Sequence, residues 1–310
     1  MSKTYSLLSV GLSQYDVVVR PVPDDLMTAE SMRVDEIFSG AGGGAFTAAA
    51  AFAAMGEKPA LVSSVGNDDF AITILQRAKD LGLDTSYVKE SADIKTKVCF
   101  TLQTHDGERH MAGLTGDDVC VVGNDDVPGE LLSRSGHLHV GGVGQAAKLS
   151  GEELDLLIAR AKEAGLSVSA TLGYDVEEKW LGHYAGVVSS ADMIFCDEYV
   201  AEACGGSQAM AQAGAKLFAF IREDGSVFAT DFTSEVSLPS FFGEVVDLTG
   251  LEDAFSAGFI FGRLKGLPLE ACAALGAAQA ACCAGAKGAV TRLGDESTLK
   301  AIIADKGYNL

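Results

Sequence analysis

Positive charge is scarce in this chain: 23 Lys and Arg stand against 43 Asp and Glu, a formal net charge of −20. Such an acidic surface repels phosphate backbones and anionic headgroups, so neither nucleic acid nor a membrane surface is expected as a partner. Proline is scarce too, at 6 of 310 residues beside 36 glycines, and no proline-rich linker or low-complexity segment interrupts the chain. Long apolar runs are missing. The alanine-rich stretch from Ala48 to Met55 is too short to span a bilayer. The N-terminus has no basic segment leading into an apolar core, so no signal peptide is expected. The seven cysteines form no CxxC pair and have no histidine at metal spacing. An odd number of thiols in apolar surroundings reads as reduced cysteine in a cytoplasmic protein.

What is present is enough apolar material, 48% of residues, for one large α/β domain. Tyr5 to Val10, Ala60 to Val65, His137 to Val140 and Leu166 to Ala170 read as buried strands, with helical spacing between them. Alternating strands and helices imply a parallel sheet covered on both faces. His137 and His139 share a strand face with no third ligand nearby, which points to packing rather than metal. The most informative stretch is DLTGLEDAFSAGFIFG, Asp247 to Gly262. Val245 and Val246 read as the end of a strand, followed by a Thr-Gly turn and a helix. A Gly turn that opens a helix presents backbone N–H groups to an anion. Asp253, in the first helical turn, is placed to take a proton from a substrate hydroxyl. Taken alone, the same residues also describe an ordinary helix start, with Asp253 favoured by the helix dipole.

Asp247, Gly250, Asp253, Ala254, Phe255, Gly258 and Phe259 resemble the second signature of the PfkB/ribokinase family of carbohydrate kinases. The first signature is similar as well: Gly42-Gly43, a helix ending at Met55-Gly56, a strand from Ala60, then Gly66-Asn67-Asp68-Asp69-Phe70. The resemblance runs from Tyr5 to about Leu293. It implies a ribokinase-like three-layer α/β sandwich forming one domain over 1–310, with a small β-sheet lid inserted at about 14–38 and 93–113. Asp106-Gly107-Glu108-Arg109 matches a lid turn. By the same resemblance Asp253 is the catalytic base, and Asp16, Gly42 and Gly43 hold a sugar or nucleoside. Thr47 falls where a sugar-contacting Asn is usual, and Lys97 where a small lid residue is usual, within reach of substrate. ATP with Mg²⁺ is the expected cofactor, a monovalent cation near Asp247 is a further one, and a homodimer through the lid is the expected assembly.

The departures gather on the expected nucleotide side. Asp197 and Val200 replace the Asn and Glu of a Mg²⁺-organising motif, which leaves Asp197 as the candidate metal residue. Phe220 and Arg222 replace a phosphate-contacting Thr and Gly, while Gly225 is kept. Gly250 is kept, but Leu251 replaces Ala and Glu252 replaces the last Gly before Asp253. Gln279 lies where an adenine-side Asn is common. A carboxylate at 252 would repel the charge the turn should stabilise, and Glu would adopt positive φ poorly. Arg222 and Glu252 are therefore expected to pair and fill the γ-phosphate region. Two readings stay open on the sequence: an ATP-dependent sugar or nucleoside kinase, and a non-catalytic relative binding a sugar-like ligand or a protein.

Overall fold

The computed structural model describes residues 3–23, 25–26, 30–146, 148–175 and 177–310. Thirteen strands run β1 Tyr5–Gly11, β2 Gln14–Val22, β3 Glu36–Gly42, β4 Pro59–Val65, β5 Asp84–Glu90, β6 Lys97–Thr104, β7 Arg109–Gly113, β8 Ser135–Val143, β9 Ser167–Leu172, β10 Met193–Asp197, β11 Phe218–Ile221, β12 Val227–Thr230 and β13 Glu235–Leu238. Ten α-helices accompany them: α1 Gly44–Ala54, α2 Asp69–Asp80, α3 Gly129–Arg134, α4 Gly151–Glu163, α5 Leu181–Ser190, α6 Glu198–Ala203, α7 Gly206–Gln212, α8 Leu251–Leu264, α9 Leu269–Ala284 and α10 Glu296–Asp305.

Nine strands form one sheet in the order β13-β12-β11-β10-β9-β8-β1-β4-β5. It is parallel from β11 to β5, and β12 and β13 close one edge antiparallel. Because crossover helices cover both faces, its central strands are buried on both sides rather than on one; all seven residues of β4 are buried. One face packs Leu8, Val10, Leu138 and Val140 against Leu154, Leu157 and Ile158 of α4 and Val187 of α5. The other packs Leu7 and Phe195 against Phe52 of α1, Phe255 and Phe259 of α8 and the alanines of α9. This is the ribokinase-like sandwich expected from the sequence. His137 and His139 lie fully buried in β8, bonded to Ser167 and Ser169 at 2.7–2.8 Å, and burial pushes both imidazoles down to about 3. They are neutral core groups.

The second sheet has four strands in the order β3-β2-β6-β7. Gln14 pairs with Lys97 and Asp16 with Cys99 across β2 and β6, so these four side chains leave the small sheet on one face. Residues 24 and 27–29 of the stretch expected to carry lid strands lie outside the described residues.

One strand expected from the sequence is not there. Residues 245–248 run as irregular backbone, with the N–H groups of Val246 and Asp247 donating to the Ala284 carbonyl at the end of α9 (2.8 and 3.2 Å). The segment takes its hydrogen bonds from a helix end instead of a sheet neighbour, and Val245 is exposed.

Candidate active site

A cleft of about 680 Å³ lies between the C-terminal ends of the large sheet and the small sheet, the crevice where open α/β sheets hold ligands. Its floor is the start of α8. Gly250 is the N-cap at φ 78°, with no side-chain cap, and a Cβ there would lie 2.5 Å from that of Ala289. Asp247 stabilises the turn. One of its carboxylate oxygens accepts from Thr249 N and Oγ1 (3.2 and 3.0 Å) and the other from Gly288 N (2.8 Å). Both oxygens are thus engaged in tying two loops together. Leu251 N bonds Leu248 O and Ala254 N bonds Gly250 O. The N–H groups of Glu252 and Asp253 carry no such bond among the described residues, so the helix start offers donors to an anion.

Glu252 sits in the second helical position, and the positive φ of the turn falls on Gly250. The expected backbone strain at Glu252 is therefore absent. Its side chain does not behave as a fixed negative charge either. Burial, then the nearby charges of Asp197 and Asp253, push its carboxyl well above the ordinary range, which favours the neutral acid.

Asp253 and Asp16 converge on the middle of the cleft. Asp16 Oδ2 lies 2.0 Å from where a Cβ of residue 42 would sit, and Asp253 Oδ1 lies 3.1 Å from the equivalent point on Gly44. Glycine at 42 and 44 is what lets these carboxylates rest against backbone. Gln14 Nε2 donates to Asp16 Oδ1 at 2.7 Å. Burial pushes both Asp16 and Asp253 up to about 7; for Asp253 the charge of Asp16 adds to it, and for Asp16 that of Asp247 does. Two carboxyls that titrate near neutrality inside a crevice suit proton transfer at pH 7.

At the other end, Asp197 caps α6 by accepting from Val200 N at 2.7 Å, and burial raises its carboxyl. Arg222 does not reach Glu252. Its Nε donates to Glu198 Oε1 at 2.5 Å, and its guanidinium lies 5.0 Å from the Phe220 ring centre. Strand register explains the correction. β10 and β11 pair in parallel with Asp197 opposite Ile221, so the next residues, Glu198 and Arg222, meet across the strand ends. Glu252 arrives from a separate helix. Gly225 turns the loop back by donating to Arg222 O (2.9 Å), while Arg222, Glu223 and Asp224 line the cleft.

Two expected contacts lie off the cleft. Gln279 is fully buried, and its amide exchanges both hydrogen bonds with the Gly294 backbone (3.1 and 2.7 Å). Thr47 is fully buried in α1 behind the Gly250 turn, with no partner for its hydroxyl. Lys97 is buried on the cleft-facing side of the small sheet. Gly43, Gly250 and Leu251 line the cleft as expected.

Gln14, Arg109, Tyr174 and Tyr199 are among the lining residues that the sequence reading did not assign to the site. Tyr174 and Tyr199 follow strands β9 and β10, where a parallel sheet presents its ligand crevice. They stack on each other at 6.0 Å, with Trp180 at 5.3 and 5.8 Å. Arg109 begins β7 opposite Gln103, which alternation places on the Cys99 face.

Residues 5–295 match the profile of the pfkB family carbohydrate kinase. The chain belongs to that family. Among curated relatives, the ATP-dependent ribose-1-phosphate kinase of Halopiger xanaduensis is 27% identical, covering 82% of this chain and 83% of its own. Among solved structures, a probable sugar kinase from Rhizobium etli superposes with TM-score 0.82 at 21% identity, over 98% and 99% of the two chains. Arabidopsis thaliana ribokinase complexed with ribose and ATP gives TM-score 0.78 at 19% identity, again over 98% and 99%. At these identities the structural likenesses establish the ribokinase-like fold, and the family match makes the chain a carbohydrate kinase by descent.

Proposed function

We propose that this family member transfers the terminal phosphoryl group of Mg-ATP to a hydroxyl of a small sugar- or nucleoside-like substrate. The observation that carries the reading is the pairing of Asp253 with the unbonded N–H groups at the start of α8. In this reading Asp253 takes the proton of the attacking hydroxyl, and the Glu252 and Asp253 N–H groups receive the phosphoryl oxygens. Asp16, oriented by Gln14, holds substrate hydroxyls beside the Gly42-Gly43 backbone. The small sheet acts as the lid that keeps water from the phosphoryl group.

No group of three or more His, Cys, Asp or Glu among the described residues is arranged to hold a metal by itself. That suits Mg²⁺ arriving with the nucleotide, held by phosphate oxygens, water and one carboxylate, here Asp197. The ion would neutralise phosphate charge. Arg222 bonds Glu198 rather than Glu252, so the expected ion-pair plug is not formed, which counts against the non-catalytic reading. The outer face of the small sheet carries Ile37 and Phe100, 64% and 45% exposed, and a homodimer through this sheet would cover them.

The test is ADP release with Mg-ATP and pooled sugars, sugar phosphates and nucleosides, run beside titration calorimetry of Mg-ATP. Acceptor-dependent ADP release is the expected result. A folded protein that neither binds Mg-ATP at millimolar concentration, with or without the pool, nor releases ADP would sink the reading.

A further inference from the structure

At the small-sheet end of the cleft two cations form no ion pair among the described residues: Lys97, on the cleft-facing side of the sheet just behind the lining, and Arg109, which feels the charges of Asp16 and Asp197 without touching either. Lys97 is only 7% exposed, yet its ammonium makes no hydrogen bond or ion pair among the described residues. Its titratable neighbours are the thiols of Cys99 and Cys120, and burial raises both, so they supply no negative charge. The ammonium lies over Gly113, where a Cβ would stand 3.6 Å from Nζ. Lys97 shares the cleft-facing side of the sheet with Asp16 and Cys99. Arg109 lines the cleft from the adjacent strand, and its guanidinium likewise makes no hydrogen bond or ion pair among the described residues. The thiol of Cys99 feels Asp16, Lys97 and Arg109 together. Nearby, the fully buried Ser13 hydroxyl, one residue before Gln14, has no partner. A buried ammonium without a counterion is costly, and it is unexpected in a chain of net charge −20.

We infer that the acceptor substrate carries an anionic group, a phosphate or a carboxylate, which binds between Lys97 and Arg109 while its reacting hydroxyl lies at Asp253. This rests on the kinase reading for the identity of the site, but its test does not depend on turnover. A charge-assisted contact of this kind is worth on the order of ten- to a hundredfold in affinity.

Calorimetry without nucleotide would compare ribose and fructose with ribose 1-phosphate, ribose 5-phosphate, fructose 6-phosphate and gluconate. At least one anionic compound should bind about tenfold or more tighter than its neutral parent. Lys97→Met should abolish that advantage and raise the melting temperature, because it removes an uncompensated buried charge. Lys97→Arg should retain part of the advantage. A residue that merely supports the fold would show loss of stability with an unchanged ratio. Equal binding of neutral and anionic compounds, an unchanged ratio in Lys97→Met, or no binding by any anionic member would overturn the inference. Selective, Lys97-dependent binding without phosphoryl transfer would leave it standing while the kinase reading fell; transfer to neutral sugars alone would do the reverse.

Discussion

The two ends of the cleft solve opposite electrostatic problems. At the small-sheet end, Lys97 and Arg109 form no ion pair among the described residues, and burial pushes the carboxyl of Asp16 up to about 7. At the β10–β11 end, carboxyls crowd together. Asp197 and Glu252 are both raised, largely by burial, and the one cation on that strand pair, Arg222, is held by Glu198. The first end therefore has positive charge that no direct ion pair engages. At the second, burial favours the protonated form of Glu252, so a substitution that looks hostile to phosphate on paper need not be hostile in place. A residue's ionisation belongs to its surroundings and not to its letter.

The comparison is broken most severely at the point where the two ends meet. Asp253→Asn keeps the shape but cannot accept the proton, and kcat is expected to fall by about 10²–10⁴ with Mg-ATP binding retained. Steady-state kinetics with parallel calorimetry checks this, and an Asn variant within threefold of the parent would remove Asp253 from the chemistry.

The pH dependence is the next largest effect. The folded carboxyls of Asp16 and Asp253 titrate at about 7, against 3.8 for the free side chain. A base must be deprotonated, so kcat/KM should fall about tenfold per unit as pH drops below about 7 and level off above it. Stability runs the other way. Between about 4 and 7 the folded state holds protons that the unfolded chain has released, so stability declines as pH rises through that window. Melting curves should show Asp253→Asn gaining on the parent at pH 8 and converging with it at pH 4.

Much of this was legible in the sequence. Alternating strands and helices gave the layered sheet, and the Gly250–Asp253 spacing gave the helix start and its carboxylate, because both follow from local pattern. Gly42 was expected to let the backbone approach a sugar; in the structure a Cβ there would stand 2.0 Å from Asp16 Oδ2. Pairing across elements was not legible. Arg222 meets Glu198 through the register of β10 against β11, and no local rule fixes register between strands 20 residues apart in sequence. Val245 and Val246 read as the end of a strand because valines favour strands, while the N–H groups of Val246 and Asp247 go to the Ala284 carbonyl. Gln279 was placed near the nucleotide by resemblance, yet its amide is occupied by Gly294.

Glu252 sharpens the comparison with a smaller effect. If it is a neutral acid, Glu252→Gln is nearly isosteric in both shape and charge. Activity at pH 7 should then stay within about threefold. An ionised Glu252 opposing the phosphoryl charge would instead give a large gain in Gln, up to about a hundredfold at the usual strength of such donors. A rate comparison at pH 7 and pH 9 distinguishes the two.

The smallest effect on catalysis is expected at Gln279. Its side chain lies outside the cleft and closes two hydrogen bonds to Gly294 N and O, holding the 294 loop against α9. Gln279→Leu preserves volume but leaves both Gly294 groups buried and unsatisfied. Loss of a buried partner of this kind costs about 1–3 kcal/mol, so the denaturant midpoint should fall while KM for Mg-ATP stays put. If KM for nucleotide rose severalfold with the midpoint unchanged, Gln279 would reach the nucleotide after all. The β10–β11 end would then extend past the lining residues seen in this structure.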